Sequence, residues 1–323
     1  MKKILITGGA GCIGIEVYKQ CLSIGLDPII FDLSEKITQL SKYFKPKKYI
    51  KGSILDKSLL LSSLKNIDCV VHLAALLGVK RTESEPQRCL EINIEGTKNV
   101  IETACLNNVK KLVFASSSEV YGQPAVESVN EETVTQGRTV YAISKLAAEE
   151  YIKATTKFSN LKSVILRYFN TFGSFQTAEF VISRFLYLAR KGERIVINGD
   201  GKQIRSYCYV TDTANATVKS IFYNIKNKDG FEIFNIGNPL NKINVLDLGS
   251  KILTLCHSSK KPKFDLNFQI NDRIRNREIF QRTCNIDKAK SFLDYSPQVN
   301  LESALKDLIK NGIIWKSWPQ IYP

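Results

Sequence analysis

The chain has 323 residues, 44% of them hydrophobic, and carries a formal net charge of +15. This length suits two domains or one large domain with a cap, and no apolar run approaches the ~20 residues of a membrane-spanning helix. The lysines are spread over the whole length, and no segment combines dense Lys and Arg with stacking aromatics. We therefore expect neither nucleic-acid binding nor membrane insertion.

The cysteines and histidines show no spacing that is typical of a metal site. The eight cysteines include no Cys-x-x-Cys pair, and the only histidines are His72 and His257. This spacing predicts reduced structural thiols and no metal site. Because the chain opens directly into a predicted strand rather than a secretory signal, we expect a cytoplasmic location.

The first part of the chain alternates short apolar runs with helical patterns. Strands are predicted at residues 4–7, 27–31, 69–73, 111–115 and 163–167, and helices at 14–23, 93–107 and 141–156. Such alternation implies a parallel sheet that is covered by helices on both faces. We predict an α/β fold, with a Rossmann-type doubly wound parallel sheet in an NAD-binding domain over residues 1–169.

After Asn170 the predicted strands and helices no longer alternate regularly. Helices are predicted at residues 180–191 and 301–310, strands at 194–197 and 207–210, and an Arg-rich loop at 272–286. We predict that residues 170–323 form mainly a smaller C-terminal α/β substrate-binding region. A segment near residues 206–237 is expected to return to the first domain.

A glycine-rich loop follows the first predicted strand, with glycines at positions 8, 11 and 14. A loop of this kind between a strand and a helix presents backbone N–H groups and the positive helix end to a pyrophosphate. Gly8 allows the turn, Gly11 lets the backbone approach the phosphates, and Gly14 allows close packing of helix on strand. The pattern predicts a dinucleotide site.

Asp32 ends the second predicted strand, 18 residues after Gly14. A carboxylate at this place accepts hydrogen bonds from the adenosine ribose hydroxyls and repels a 2′-phosphate. Residues 33–35, which follow directly, include no arginine. The sequence therefore favours NAD over NADP.

Ser117, Tyr141 and Lys145 are the first candidate catalytic residues. Tyr141 and Lys145 are four residues apart, which places them one turn apart on the same helix face. A free tyrosine has a pKa of about 10, and a neighbouring lysine and a positive nicotinamide ring both favour its phenolate. Ser117 can exchange a hydrogen bond with the same substrate hydroxyl. The trio can therefore remove a proton from a sugar hydroxyl while hydride leaves the same carbon.

Several longer motifs are spread over most of the chain. They are Thr-Gly-Gly-Ala-Gly-Cys-Ile-Gly at 7–14, Val-His-Leu-Ala-Ala at 71–75, Asn-Ile-Glu-Gly-Thr at 93–97, Ser-Ser-Ser-Glu-Val-Tyr-Gly at 116–122, Tyr-x-x-x-Lys at 141–145, Arg-Tyr-Phe-Asn-Thr-Phe-Gly at 167–173, Gly-Asp-Gly at 199–201 with the segment up to 212, and Phe-Asn-Ile-Gly at 234–237. With these motifs the chain resembles the extended short-chain dehydrogenase/reductases, specifically the nucleotide-sugar epimerases, dehydratases and decarboxylases. The motifs are specific for the superfamily and much less specific for the reaction.

The resemblance implies roles for residues at matching positions. It implies cofactor contacts for Gly8, Gly11, Cys12, Ile13, Gly14, Asp32, Leu73, Ala74, Ala75, Asn93, Tyr141, Lys145 and Tyr168. It implies substrate contacts for Ser117, Ser118, Asn170, Arg205, Arg277 and Arg282. The implied partner is a nucleotide-diphosphate sugar, with a UDP-sugar favoured, and guanidinium groups suit the oxygens of its diphosphate. Relatives pair into homodimers through helices that match 93–107 and 141–156.

Glu119 is the fourth candidate catalytic residue, because it lies two residues beyond Ser117. Related dehydratases and glucuronate decarboxylases carry a glutamate there, whereas simple 4-epimerases usually do not. Dehydratases of the deoxythymidine type also have an aspartate at the position of Ser118, and a serine hydroxyl is a far weaker acid. Glu119 either acts on C5 or C6 of the sugar or only orders the loop at 120–122.

The candidate reactions share a first step, in which Tyr141 takes the 4-hydroxyl proton and hydride moves from sugar C4 to NAD. An epimerase returns hydride to the other face of the 4-keto sugar. A 4,6-dehydratase removes the C5 proton and expels the 6-hydroxyl, and a decarboxylase loses CO2 from a C6 carboxylate. We predict an NAD-dependent epimerase, specifically a UDP-hexose 4-epimerase, with a 4,6-dehydratase or a UDP-glucuronate decarboxylase as the close alternative.

Three further points concern the alternatives to an epimerase, which stay open. A decarboxylase needs a cation for the uronate carboxylate, and the candidates, with Arg282 favoured, are Arg184, Arg273, Arg275, Arg277 and Arg282. A non-catalytic NAD-binding regulator is disfavoured because it need not retain the catalytic trio. A net oxidoreductase would release NADH, whereas an epimerase would not.

Overall fold

The computed structural model of the protein describes residues 2–266 and 279–316. Its strands are β1 (Lys3–Thr7), β2 (Asp27–Asp32), β3 (Tyr49–Lys51), β4 (Cys69–His72), β5 (Lys111–Ser117), β6 (Ser128–Val129), β7 (Lys162–Tyr168), β8 (Thr171–Phe172), β9 (Gln176–Thr177), β10 (Val196–Asn198), β11 (Ile204–Ser206), β12 (Cys208–Tyr209), β13 (Phe231–Ile236), β14 (Lys242–Asn244), β15 (Lys263–Asp265), β16 (Gln281–Cys284) and β17 (Ile314–Trp315). Its α-helices are α1 (Cys12–Ser23), α2 (Ser34–Leu40), α3 (Lys57–Ser63), α4 (Val79–Ser84), α5 (Pro86–Leu90), α6 (Gly96–Leu106), α7 (Val140–Lys157), α8 (Val181–Arg190), α9 (Val210–Phe222), α10 (Val245–Leu255), α11 (Asp287–Leu293) and α12 (Leu301–Asn311). A π-helical turn (Glu91–Glu95) leads into α6, and 3-10 turns lie at Ser118–Tyr121 and Pro239–Asn241.

Seven parallel strands form the central sheet, in the order β3-β2-β1-β4-β5-β7-β13. The chain runs outward from β1 to β3 and then crosses back to β4 on the other side of β1. This reversal leaves a crevice at the carboxyl ends of β1 and β4, where open α/β sheets bind their ligands. The predicted fold class, a Rossmann-type doubly wound sheet, is confirmed.

Both faces of this sheet are buried, which explains why its strands are almost wholly apolar. Ile4 and Ile6 of β1 pack into a core with α1, α9 and α11. Leu5, which points to the opposite face, packs into a second core with α3, α6 and α7. None of the three side chains has exposed surface, and the burial of each contributes about 1.5–3 kcal/mol relative to an exposed position.

The second half of the chain is divided between the sheet and a third apolar core. β13 is an edge strand of the sheet, and α9 packs against α1. The third core joins side chains of α8, α10 and α12. Within the described residues, no helix is both long and apolar enough to cross a membrane.

The predicted Arg-rich loop is wrong for residues 281–284, which form β16 and pair in parallel with β11 and β6. Arg282 is 4% exposed, and Thr283 and Cys284 are also buried. Arg282 makes this strand difficult to recognise in the sequence, because its charge suggests a solvated segment. Residues 272–278 of that prediction lie outside the described part of the chain.

Candidate active site

A cavity of about 380 Å³ lies at the carboxyl ends of the central strands. The predicted site residues that line it are Gly8, Gly11, Cys12, Ile13, Gly14, Asp32, Leu73, Ala74, Ala75, Ser117, Ser118, Glu119, Tyr141, Lys145, Tyr168, Asn170 and Arg282. The loops after β1, β4 and β5 form one wall, and the segment after β7 forms the facing wall. The fold therefore brings most of the predicted cofactor and substrate positions around one space.

The glycine loop forms a tight cradle at one end of this cavity. Gly8 has a φ of +67°, and a Cβ atom there would lie 2.7 Å from the backbone nitrogen of Ala74. A Cβ atom at Gly14 would lie 2.5 Å from the carbonyl oxygen of Gly8. Gly11 is the N-cap of α1, so no side chain covers the first N–H groups of that helix. The cradle fits the pyrophosphate of a dinucleotide, which binds backbone N–H groups at a positive helix end.

Asp32 lies next to this cradle, at the carboxyl end of β2. Its two carboxylate oxygens accept hydrogen bonds from the backbone N–H of Ala10 at 2.9 Å and of Leu33 at 2.8 Å. Burial raises the pKa of Asp32, and both N–H donors and the charge of Lys36 oppose that rise. Each oxygen retains further capacity to accept a hydrogen bond, so the carboxylate can receive the hydroxyls of an adenosine ribose.

The candidate catalytic trio lies on the side of the cradle away from Asp32, because β1 separates β2 from β4 and β5 in the sheet. Thr139 caps α7 by accepting a hydrogen bond from the N–H of Ala142 at 3.1 Å, so Tyr141 falls in the first turn of the helix. The phenol of Tyr141 is hydrogen-bonded to Ser117. The Lys145 ammonium donates to the Ala115 carbonyl at 2.8 Å and lies 5.8 Å from the centre of the Tyr141 ring.

The electrostatic surroundings raise the pKa of Tyr141 and lower the pKa of Lys145. Burial and the Glu119 carboxylate raise the pKa of Tyr141, and the hydrogen bond with Ser117 lowers it. Burial lowers the pKa of Lys145 to about 8, while Cys89 and Glu149 oppose that change. Lys145 is therefore mostly protonated at neutral pH, and its positive charge can favour a phenolate on Tyr141.

Glu119 stands beside the trio, in the 3-10 turn that follows β5. Its carboxylate accepts a hydrogen bond from the Thr139 hydroxyl at 3.4 Å and lies in the cavity wall. Ser118, which precedes Glu119 in the chain, is buried and also lines the cavity. Tyr141 and Glu119 thus provide a phenol and a carboxylate that can exchange protons with a bound sugar.

Asn93 supports the cavity from behind. Within the described residues it is not part of the cavity lining. Its amide donates to the Leu76 carbonyl and to the Ser144 hydroxyl, both at 3.0 Å, and accepts from the Leu76 N–H at 2.7 Å. Because Leu76 lines the cavity and Ser144 precedes Lys145, Asn93 connects the loop after β4 to α7.

Tyr168 and Asn170 follow each other closely at the end of β7. The Tyr168 hydroxyl shares a hydrogen bond with Thr217 at 2.8 Å, and its side chain lines the cavity. Asn170 has a φ of +36° and donates to the Ser206 carbonyl at 3.0 Å. Asparagine tolerates this left-handed backbone better than most residues. It therefore allows the chain to turn from the sheet into the facing wall.

The predicted arginines divide into three cases. Arg282 is 4% exposed and lines the cavity. Arg205, in contrast, donates to the backbone carbonyls of Ile204 and Phe280, and among the described residues it is not part of the lining. Arg277 lies outside the described part of the chain. Of the arginines predicted to bind substrate, the described structure thus brings Arg282 to the cavity.

Four charged residues of the lining were not identified from the sequence, namely Lys36, Arg81, Glu83 and Glu179. Lys36 follows Asp32 by four residues, and α2, which begins at Ser34, turns it back toward the cavity. In the sequence Lys36 is the first cation after Asp32, one residue beyond the segment 33–35 that lacks arginine. Arg81, Glu83 and Glu179 belong to no motif, and no local signal marks them.

Residues 4–237 match the NAD dependent epimerase/dehydratase family, and the chain belongs to that family. The UDP-N-acetyl-alpha-D-glucosaminuronate decarboxylase of Bacillus cytotoxicus is 34% identical, over 96% of this chain and 97% of that protein. The putative UDP-glucose 4-epimerase of Methanocaldococcus jannaschii is 32% identical, over 95% of this chain and 97% of that protein. Among solved structures, the UDP-glucuronic acid 4-epimerase from Bacillus cereus, in complex with UDP-glucuronic acid and NAD, superposes with a TM-score of 0.84. It is 28% identical and covers 95% of this chain and 99% of its own.

These matches confirm the predicted family and the predicted cofactor, NAD. The members of this family are NAD-dependent epimerases and dehydratases, and the relatives include epimerases of UDP-sugars and a decarboxylase. When bound in the glycine cradle, NAD supplies the hydride acceptor and a positive ring that favours the phenolate of Tyr141.

Proposed function

We propose that the chain is a UDP-sugar 4-epimerase that works through a transient 4-keto sugar. The observation that carries this proposal is the group of Ser117, Tyr141 and Lys145 at the cavity wall. A sugar 4-hydroxyl next to the Ser117–Tyr141 hydrogen bond can give its proton to Tyr141 while Lys145 stabilises the phenolate. The carbon that carries this hydroxyl can then release a hydride. The UDP-sugar relatives support uracil as the base of the nucleotide.

The choice of epimerisation over dehydration rests on the side chain beside Glu119. A 4,6-dehydratase has to protonate the departing 6-hydroxyl, and a carboxylic acid does this far more readily than a hydroxyl. In this chain the position is taken by Ser118, a buried residue of the cavity wall. An epimerase needs no such acid, because it only returns the hydride to C4 and the proton to the oxygen on C4.

Decarboxylation of a UDP-uronate is the second candidate, and Glu119 and Arg282 favour it. A buried guanidinium in the cavity wall can pair with a carboxylate at C6, and a glutamate near C5 can exchange a proton with the product. The Bacillus cytotoxicus relative, which bears the name of a uronate decarboxylase, supports the same reaction. Arg282→Ala would impair a decarboxylase strongly.

The test is incubation of the purified protein with UDP-, GDP- and dTDP-hexoses and with UDP-uronates, followed by NMR of the products. We expect a hexose to be exchanged for its C4 isomer at constant mass, without lasting NADH. A 4-keto-6-deoxy sugar would establish a dehydratase, and CO2 with a pentose would establish a decarboxylase. Steady accumulation of NADH would establish a net oxidoreductase, and the absence of turnover or hydride exchange would support a regulator.

Glu119→Gln separates these reactions within one protein. For an epimerase we expect most of the activity to remain, since no C5 proton is removed and the amide oxygen can still accept from Thr139. For a dehydratase the same change stalls the reaction at the 4-keto sugar, with NADH trapped on the enzyme. Product NMR and the absorbance of bound NADH measure both outcomes. Glu127→Gln, at an exposed position, is the matched control.

We further propose that the protein is a homodimer joined through α6 and α7. These helices pack against each other, and exposed apolar side chains extend from them at Leu106 (66% exposed), Ile143 (51%) and Phe158 (91%), just after α7. Burial of such surface against a second copy is favourable by about 25 cal/mol per Å². The expected result is sedimentation as a dimer at micromolar concentration.

Leu106→Asp combined with Phe158→Asp tests the location of that interface, because it places charge in the apolar contact. We expect the double variant to sediment as a monomer. Phe222→Asp, at a residue 51% exposed at the end of α9, is the control and is expected to leave the dimer intact. A wild-type protein that sediments as a monomer would contradict the proposal.

A further inference from the structure

Four charged side chains meet at the Asp32 end of the cavity. Asp32 and Lys36 come from β2 and α2, Arg81 comes from α4, and Glu179 comes from the segment before α8. All four line the cavity. Lys36 is only 4% exposed, so its ammonium group lies inside the protein and beside the ribose-binding carboxylate.

The surroundings of Lys36 act on its charge in opposite directions. Burial and the positive charge of Arg81 lower the pKa of Lys36 to about 7, and the carboxylates of Asp32 and Glu179 oppose that change. Its Nζ atom lies 4.7 Å from the ring centre of Trp315, which is within the range of a cation–π contact. Trp315 belongs to β17, which pairs with β9 in the facing wall of the cavity. The carboxylate of Asp32 and the ring of Trp315 thus both hold Lys36 at the Asp32 end of the cavity.

A carboxylate and a cation at this place have opposite effects on the choice of cofactor. A carboxylate alone binds the ribose hydroxyls of NAD and repels the 2′-phosphate of NADP, whereas a nearby cation accommodates that phosphate. The chain contains both groups within one subsite. A cation that contacts phosphate oxygens forms charge-assisted hydrogen bonds, which are roughly twice as strong as neutral ones.

We propose that Lys36 determines how strictly the enzyme distinguishes the two cofactors: its ammonium shares the adenosine-ribose subsite with Asp32 and binds a 2′-phosphate. Asp32 keeps NAD the preferred cofactor, and Lys36 makes NADP a usable second one. This inference does not depend on which sugar reaction the enzyme performs. It identifies Lys36 as a specificity-determining residue of the cofactor site.

The experiment is a calorimetric titration of the cofactor-free full chain with NAD and with NADP. We expect Lys36→Met to weaken NADP binding at least about 10-fold, the loss of one charge-assisted contact, and to change NAD binding less than about 3-fold. Asp32→Ser is expected to invert the preference toward NADP, and the double variant to lose that inversion. Lys42→Met, at an exposed lysine just after α2, is the control for the loss of one charge.

Further probes keep the test decisive if Lys36→Met fails to fold. Lys36→Arg retains the charge and is expected to bind NADP at least as well as wild type. In the wild-type protein, adenosine 2′,5′-bisphosphate is expected to compete for the NAD site as AMP does. Equal weakening of NAD and NADP by Lys36→Met would overturn the proposal, because the lysine would then only support the fold. No detectable binding of NADP or the bisphosphate to wild type would overturn it as well.

Discussion

Tyr141→Phe is expected to lower kcat by about 10²–10⁴-fold and to leave NAD binding and the fold unchanged. The variant keeps the aromatic ring, so the contact of the Lys145 ammonium with that ring is retained. Only the hydroxyl and its hydrogen bond with Ser117 are lost. In the proposed reaction the deprotonated form of that group, the phenolate, accepts the proton of the sugar hydroxyl. Steady-state kinetics on the identified substrate and the content of bound NAD measure the two halves of the prediction.

The matched control is Tyr151→Phe, on the same helix but away from the cavity. The Tyr151 hydroxyl donates to Glu102 at 2.9 Å on the outer side of α7, so its loss is expected to leave kcat within about 2-fold of wild type. Turnover of Tyr141→Phe close to the wild-type rate would contradict the assignment of Tyr141 as the catalytic base. A loss of bound NAD together with turnover would mean that the hydroxyl is needed to hold the cofactor as well as to accept a proton.

Glu149→Leu is expected to destabilise the protein by about 3–5 kcal/mol, the cost of breaking a buried ion pair on one side. Glu149 lies on α7 and has no exposed surface. Its carboxylate accepts hydrogen bonds from Arg167 at 3.1 and 2.7 Å and from the Ser116 hydroxyl at 2.5 Å. The substitution leaves the Arg167 guanidinium, 4% exposed, without the carboxylate that compensates its burial.

Urea unfolding measures this difference, with Glu150→Gln as the control on the neighbouring residue. The Glu150 side chain is 69% exposed and pairs with Lys153 at 2.6 Å, so its loss is expected to cost less than about 1 kcal/mol. Glu149→Leu combined with Arg167→Met is expected to recover much of the stability, because no charge then remains buried alone. A loss below about 1 kcal/mol for Glu149→Leu would show that the pair does not hold α7 against the sheet.

The Glu149 pair also connects the segments that carry the candidate catalytic residues. Glu149 connects α7, which carries Tyr141 and Lys145, to Ser116 on β5, directly before Ser117. Arg167 extends the connection through its hydrogen bond to the Tyr121 hydroxyl at 2.9 Å. These contacts join segments that are distant in the chain. None of these contacts follows from a motif, although Ser116, Tyr121 and Arg167 each stand in one.

Local features of this protein could be predicted from the sequence because they depend on neighbours in the chain. The apolar runs and their alternation with helical patterns indicated the doubly wound sheet, since period and burial act over a few residues. The glycine spacing at 8, 11 and 14 indicated the dinucleotide cradle because glycine alone tolerates the positive φ and the close contacts found there. The four-residue spacing of Tyr141 and Lys145 placed them on one helix face for the same local reason.

Only the tertiary structure decided which distant side chains share the cavity. Lys36 reaches Asp32 through one turn of α2, and its encounter with Arg81, Glu179 and Trp315 depends on how separate segments pack. Arg205 and Arg282 look alike in the sequence, yet only the second lines the described cavity. Strand pairing between β11 and β16 places Arg205 beside Arg282, and such long-range pairing leaves no signal within a short window of sequence.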